Sequence, residues 1–176
     1  MRTIYDIIES PVGPLLLTAD ERGLTRVWFE TGERRHAPHA DWWHANDADD
    51  DEATRIIVKT RRQLGAYFAG HRTRFDLPLA PVGTPFQRRV WCALADIPFG
   101  RTISYLELAR TVGDVRAVRA VGGANGKNPL PIVLPCHRVI GANGSLTGFG
   151  GGIERKRWLL EHERAIPATS ELRLAL

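Results

Sequence analysis

Near the start of the chain, residues 3–8, 14–19 and 24–29 form short apolar or β-branched runs separated by the turn signals Ser10-Pro11-Val12-Gly13 and Asp20-Glu21-Arg22-Gly23. This pattern predicts an antiparallel meander. Residues 31–51 are polar and acidic and read as a loop closing on Asp49-Asp50-Asp51, with the pair Trp42 and Trp43 as a cap on the core. Over 52–69 the apolar positions Ile57, Leu64 and Phe68 fall on one stripe, which predicts a helix stopped by Gly70. Residues 75–79 read as one more strand. The Pro and Gly of 80–83 mark a linker, so that residues 1–79 form an N-terminal domain.

The pattern then changes period. Thr84-Pro85-Phe86-Gln87 has the order of a capping box with Pro at the first helical position, predicting a helix to about residue 95. Phe86, Val90, Trp91 and Leu94 lie on its inner face, and Cys92 is expected beside them as a small core residue. Ser104 and Glu107 form a second capping box, for a helix that runs to about 112 and stops at Gly113. Asp114 is expected to cap another helix, to about 124, with Val115, Val118 and Val121 as its buried stripe and Arg116 and Arg119 on a different face. Two helices joined by so short a turn fit a helix-turn-helix, in which Ala120, Gly122 and Gly123 would let a backbone approach closely. The same pattern also fits an ordinary helical hairpin with solvated arginines. Residues 130–134 read as a buried strand, Asn143-Gly144 as a tight turn, and 148–152 as a glycine wall almost without side chains. A last helix over 153–164 turns Trp158 and Leu159 inward, and 165–176 form a tail. The fold class is α+β: an antiparallel sheet with a helix, then a mainly helical domain over 84–164.

Composition narrows the setting. A chain of 176 residues that is 43% hydrophobic can build a core without disulfides, and two cysteines make no disulfide framework or zinc spacing. No apolar run approaches membrane-spanning length, and Met1-Arg2-Thr3 leads into a polar-interrupted strand rather than a signal peptide, so the cytoplasm is the expected location. Charge is uneven: residues 1–83 carry 11 basic and 13 acidic side chains, whereas 84–164 carry 12 basic and 6 acidic ones. A basic second half suits a polyanion such as nucleic acid, although many proteins with such a surface bind none.

The chemistry concentrates at Pro135-Cys136-His137-Arg138. A thiol reacts as its thiolate, and an adjacent imidazole is a candidate to take its proton. A buried structural cysteine followed by a surface histidine is the competing reading. A phosphate-binding loop at the glycine segment fails because the Walker pattern is absent.

These residues, together with Asn128-Pro129, Arg119-Ala120-Val121-Gly122 and Trp158-Leu159-Leu160-Glu161-His162-Glu163, resemble the O6-alkylguanine-DNA alkyltransferase family across nearly all of 84–164. Ile8-Glu9-Ser10-Pro11-Val12-Gly13-Pro14-Leu15 resembles the start of that family's N-terminal domain, which has a ribonuclease-H-like fold. The resemblance implies repair by direct reversal. Cys136 takes the alkyl group from O6 of a flipped guanine in duplex DNA once and irreversibly, and O4-alkylthymine is a further candidate substrate. His137 would be general base through a bridging water, Glu163 would fix its tautomer, Asn128 would brace the turn, and Tyr105 would donate toward the purine ring. Arg119 would be a finger filling the vacated stack, with its helix in the minor groove. Ala120, Gly122, Gly123, Arg116 and Arg138 complete the implied DNA contacts, and Val139, Phe149, Gly150, Gly151 and Gly152 the base pocket. The family implies a monomer with no cofactor and no metal. Phe149 departs from the tyrosine of many relatives and offers no hydroxyl to the base. A non-catalytic lesion sensor of this fold, disfavoured by the presence of Cys136, and a Cys-His hydrolase with many turnovers are the other readings.

Overall fold

The computed structural model describes residues 2–30 and 38–167. The 31–37 part of the acidic loop and the 168–176 part of the tail lie outside the described residues. The chain forms two compact units, one running to Gly83 and taking in Pro129–Val133, the other comprising Thr84–Asn128 and the chain from Leu134 onward.

In the first unit the predicted meander forms antiparallel from β1 (Ile4–Ile8), β2 (Leu15–Asp20) and β3 (Gly23–Phe29), with Ile4 opposite Ala19 and a register shift against β3 between Thr18 and Ala19. β2 lies between the other two and is buried along its whole length. A fourth strand, β4 (Trp43–His44), pairs in parallel with β1. Two residues in a polar segment carry no period, so the sequence offers no sign of it. Trp42 stacks beside Trp28, but Trp43 is half exposed under the Arg2 guanidinium, so only one of the pair contributes to a cap. Helix α1 (Glu52–Phe68) starts at Asp51, whose carboxylate accepts from the Thr54 amide. It buries Ile56, Ile57, Leu64 and Tyr67. Tyr67 therefore ends the apolar stripe, and Phe68 is only half-buried. The strand expected over 75–79 does not form. The Gln63 amide donates to the Asp76 carbonyl and accepts from the Asp76 amide, both at 2.8 Å, leaving only Leu79 bridged to Leu24.

The second unit is built on helices. α2 (Pro85–Ala95) carries the predicted capping box, and its Trp91 indole donates to the Ala124 carbonyl at 2.9 Å. Cys92 is exposed and outside the core, because it lies one turn beyond Arg88 on the solvent side of α2. α3 (Tyr105–Val112) has both halves of its capping box and ends at Gly113, whose φ of 94° is the left-handed conformation that glycine adopts without strain. α4 (Val118–Gly126) packs against α2 and α3. It begins three residues later than expected, because the Asp114 carboxylate accepts from the Arg116 amide in a turn instead of capping a helix. Val115 is consequently 52% exposed and leaves the buried stripe, and Arg116 sits in the turn.

The strand expected over 130–134 is a tight turn with Ile132 at φ 74°. Pro129, Pro131 and Pro135 have no amide hydrogen for a ladder, which outweighs the apolar character of the run. A 3₁₀ turn (Cys136–Arg138) follows, then β6 (Val139–Ile140) in parallel with β5 (Ile103–Ser104). α5 (Ile153–His162) buries Lys156, Leu159 and Leu160, whereas Trp158 is half-buried and stacks on His162. Among the described residues no helix is long and apolar enough to cross a membrane.

The capping box of α3 gives a direct test. Ser104→Ala removes the acceptor for the Glu107 amide and should lower stability by about 1 kcal/mol in urea denaturation.

Candidate active site

Cys136 is presented by backbone geometry before any side chain acts. The parallel pair β5–β6 places Val139, just after the 3₁₀ turn, opposite Ile103, so Tyr105 at the start of α3 comes to the same region as Cys136. The Asn128 amide donates to the Leu134 carbonyl at 2.7 Å, and the Cys136 amide shares that carbonyl at 2.8 Å. Asn128 thus holds the chain immediately before the thiol. The turn also explains why the alternation of an extended strand does not apply to Cys136 and His137.

Cys136, His137, Arg138 and Glu163 are all buried. The His137 Nε2 lies 2.8 Å from Glu163 Oε1. The Arg138 guanidinium takes the same carboxylate with both arms, Nε at 2.8 Å from Oε2 and Nη2 at 3.0 Å from Oε1, while Nη1 donates to the Ile97 carbonyl at 2.5 Å. Arg138 was expected on DNA. Its guanidinium is committed to Glu163 inside the fold, so it is a buried counter-charge and not a DNA contact.

Burial alone would push the Glu163 carboxyl up, but the hydrogen bonds and charges of His137 and Arg138 hold it well below the usual carboxylate range. The carboxylate is therefore ionised and can only accept. Burial also keeps the His137 imidazole below its ordinary value, against the pull of Glu163, so the ring is neutral at pH 7. Nε2 must then carry the hydrogen given to Glu163, leaving a lone pair on Nδ1. Among the described residues Nδ1 has no partner. This is the electronic state of a base. The thiol needs one, since burial pushes Cys136 up to about 11, an effect only partly offset by the Asn128 hydrogen bond and the positive charge of Lys156.

Lys156 was missed by sequence reasoning. It is fully buried, and its ammonium donates to the carbonyls of Val139 and Thr147, each at 2.6 Å. Burial brings it down to about 8, so it stays mostly charged at neutral pH. A usable signal existed, because Lys156 stands three, four and seven residues before Leu159, Leu160 and Glu163, on the inner stripe of α5. The Thr147 carbonyl also accepts from the Tyr105 hydroxyl at 3.0 Å. Burial raises the Tyr105 value, keeping it a phenol able to donate. Gly148 is required here, since at φ 66° a Cβ would lie 2.7 Å from the Tyr105 oxygen.

The remaining expected residues divide by location. Val139 and Gly151 are buried, Phe149 is half-buried and Gly150 is exposed. On α4, Arg119, Ala120 and Gly123 are exposed and Gly122 is half-buried against the Tyr105 ring. Arg116 is exposed just before the helix.

The chain is similar to known proteins along most of its length. The family model for the 6-O-methylguanine DNA methyltransferase DNA binding domain matches residues 85–165, and that for the family's ribonuclease-like domain matches residues 3–81. The methylated-DNA–protein-cysteine methyltransferase of Methanosarcina barkeri is 48% identical over 159 residues, covering 90% of this chain and 96% of that protein. The crystal structure of the Mycobacterium tuberculosis O6-methylguanine methyltransferase aligns with a TM-score of 0.76 at 46% identity, over 97% of this chain and 99% of the other. The M. tuberculosis protein crystallised with DNA aligns with a TM-score of 0.78 at 48% identity, over 92% and 93% of the two chains.

The buried carboxylate makes a prediction about pH. The Glu163 value is lower folded than unfolded, so its contribution is fully present above about pH 4.5 and is lost as pH falls below that. Glu163→Gln should lose roughly 3–5 kcal/mol at pH 7, because Arg138 is left without a counter-charge. In urea titrations the gap to the unsubstituted protein should narrow steadily below pH 4.5.

Proposed function

The chain belongs to the 6-O-methylguanine DNA methyltransferase family, and on that premise we propose that it reverses alkylation damage in DNA by moving the alkyl group of O6-alkylguanine onto Cys136. One observation carries the assignment of roles. His137 is neutral and buried, with one nitrogen bonded to Glu163 and the other unengaged, next in sequence to a buried thiol.

The Cys136 proton passes through a bridging water to His137 Nδ1, and Glu163 stabilises the imidazolium that forms. The sulfur attacks the alkyl carbon, a carbon–sulfur bond forms and the bond from that carbon to O6 breaks. Tyr105 gives its phenolic proton to the ring of the departing base, which leaves as neutral guanine, and the proton held on His137 returns through water to the phenolate, so that both groups end as they began. A thiolate is a poor leaving group from an alkyl carbon, so the thioether persists and each chain acts once.

A base inside a duplex cannot reach a buried sulfur, so the nucleotide is flipped out at a cost of roughly a few kcal/mol. Exposed Arg119 on α4 fills the gap, with the helix in the minor groove and Ala120, Gly123 and Arg116 near the backbone. Val139, Phe149, Gly150 and Gly151 line the base pocket. The protein acts as a monomer in the cytoplasm.

Labelled methyl from an O6-methylguanine oligonucleotide should transfer at one per chain, end on Cys136 by peptide mapping, and vanish with Cys136→Ala. Repeated turnover would identify a hydrolase instead. Arg119→Ala should reduce repair of duplex DNA by about tenfold or more, while transfer from free O6-alkylguanine stays near the unsubstituted rate; equal losses on both substrates would remove the finger role.

A further inference from the structure

Among the described residues other than glycine, Arg164 at φ 56° and Ile132 at φ 74° have left-handed backbone. The first is explained by its place. Arg164 stands just past the C-cap of α5, where the Arg164 and Ala165 amides return to the Glu161 and Leu160 carbonyls at 2.9 and 2.8 Å and close the helix. Ile132 closes no helix. A β-branched residue is among the least able to adopt this conformation, and a turn in which proline precedes a left-handed residue, as Pro131 does here, usually has glycine there. Such strain persists only where the surrounding structure imposes it, and it gathers at functional sites.

The surroundings of Ile132 are those of an anchor. Its side chain is 1% exposed, and Leu130, on the other side of Pro131, is fully buried. The Pro129 carbonyl accepts from the Val27 amide of β3 at 2.8 Å, and residues 129–133 belong to the first unit although the chain on both sides of them belongs to the second. Where the chain returns, the Leu134 carbonyl accepts from the Asn128 side-chain amide at 2.7 Å and from the Cys136 amide at 2.8 Å. That carbonyl lies midway between Ile132 and Cys136 in the chain, so the conformation of the loop reaches the thiol through it. Glycine at position 132 would take the same backbone conformation without strain, but it would hold nothing in the core and would leave the loop free to take others. Isoleucine does the opposite.

We propose that Ile132 is a positioning residue for transfer to Cys136: its buried side chain holds the 129–133 loop in a left-handed turn that fixes the Leu134 carbonyl and, through it, the direction of the thiol. Ile132 contributes no reacting atom. The sulfur must approach the alkyl carbon in line with the bond to O6 that breaks, so a small rotation of the turn is felt directly in the transfer step. A sequence chosen for stability alone would put glycine after Pro131 and avoid the strain. The strained anchor instead gives up stability to keep one orientation of the nucleophile. This inference rests on the proposed alkyl transfer and adds the part of the fold that aims the sulfur.

Methyl transfer from a duplex carrying O6-methylguanine is measured at saturating DNA and well below each Tm, beside the affinity for the same duplex, in Ile132→Gly, Ile132→Ala and Ile132→Val. The glycine and alanine variants should slow the transfer step by about tenfold or more with affinity unchanged. Ile132→Val keeps a branched anchor and should transfer at close to the unsubstituted rate. Of the two small variants, glycine should have the higher Tm, because alanine retains the penalty of a positive φ and glycine does not. Transfer at the unsubstituted rate by the glycine and alanine variants would overturn the proposal and leave Ile132 as a core residue, and so would a rate that falls only in step with affinity. Slowing by valine as great as by glycine, or a glycine variant that melts below the alanine one, would overturn it equally. Should the small side chains unfold the protein, Ile132→Val and Ile132→Thr, alike in shape and branching, carry the rate comparison: slower transfer is expected of threonine, whose hydroxyl weakens the anchor, and equal rates would overturn the proposal. Failure of the unsubstituted protein to transfer methyl would instead sink the alkyl-transfer reading, while the order of the Tm values would still decide whether Ile132 is strained.

Discussion

A carboxylate removed from water must be surrounded by charge or donors, and Glu163 is surrounded by both. Arg138 approaches along one edge with two nitrogens, His137 takes one of the same oxygens, and the Gly100 amide stands 3.4 Å from the other. Even Gly100 is fixed by this arrangement, since a Cβ there would come within 3.0 Å of the Glu163 carbonyl. The same carboxylate does two jobs that pull in different directions. It neutralises a buried arginine, which favours a permanent ion pair, and it orients a buried imidazole, which requires the ring to stay uncharged until a proton arrives. Arg138 reconciles them: its fixed charge beside Glu163 satisfies the carboxylate and also disfavours a second cation on His137. The imidazole is therefore a base with its proton-accepting nitrogen held open.

Burial of the thiol has the complementary effect. A Cys136 value pushed up to about 11 means that forming the thiolate at pH 7 costs on the order of 5 kcal/mol in the unliganded protein. An exposed thiol lowered to neutrality would react with any electrophile in the cell, which a residue used once cannot tolerate. A protonated resting thiol with a neutral base beside it confines the cost of ionisation to the moment when an alkylated base occupies the site. Lys156 fits the same logic. Its charge lowers the cost without removing it, and its two carbonyl partners, Val139 just after the thiol turn and Thr147 beneath Tyr105, make one buried cation a common anchor for both reacting sides of the pocket.

Legibility in the sequence followed the range of the interaction. Capping boxes at Thr84 and Ser104, the meander and the stop at Gly113 are settled within a few residues, and they appear where the local pattern puts them. Errors arose where a distant or competing group decides. Asp114 prefers the Arg116 amide to a helix end, prolines disqualify 130–134 as a strand, and Gln63 takes the Asp76 backbone that a sheet would have used. Arg138 was misassigned for the same reason. The resemblance implies a DNA contact at Arg138, and the glutamate 25 positions away claims its guanidinium instead. Resemblance to a family names Cys136, His137 and Glu163, but only packing decides which charges face inward.

The buried polar residues that local rules would forbid are the ones that mark the site. Lys156 interrupts the apolar stripe of α5, Asn125 puts a carboxamide into the helix packing of α4, and Glu163 ends a core face with a charge. Each is unfavourable by the standards of a stable core, where leucine would serve at all three positions. Lys156 and Glu163 stand on the inner stripe of α5 and at its C-cap and Asn125 on α4, yet the Thr147 carbonyl joins Lys156 to Tyr105, Tyr105 leads to Asn125, and Glu163 leads through His137 to the turn of Cys136. A core under selection for stability alone would not retain three such exceptions around one thiol. Their convergence there is the physical argument that this region of the second unit is built around chemistry, and it would hold had no relative of the chain been known.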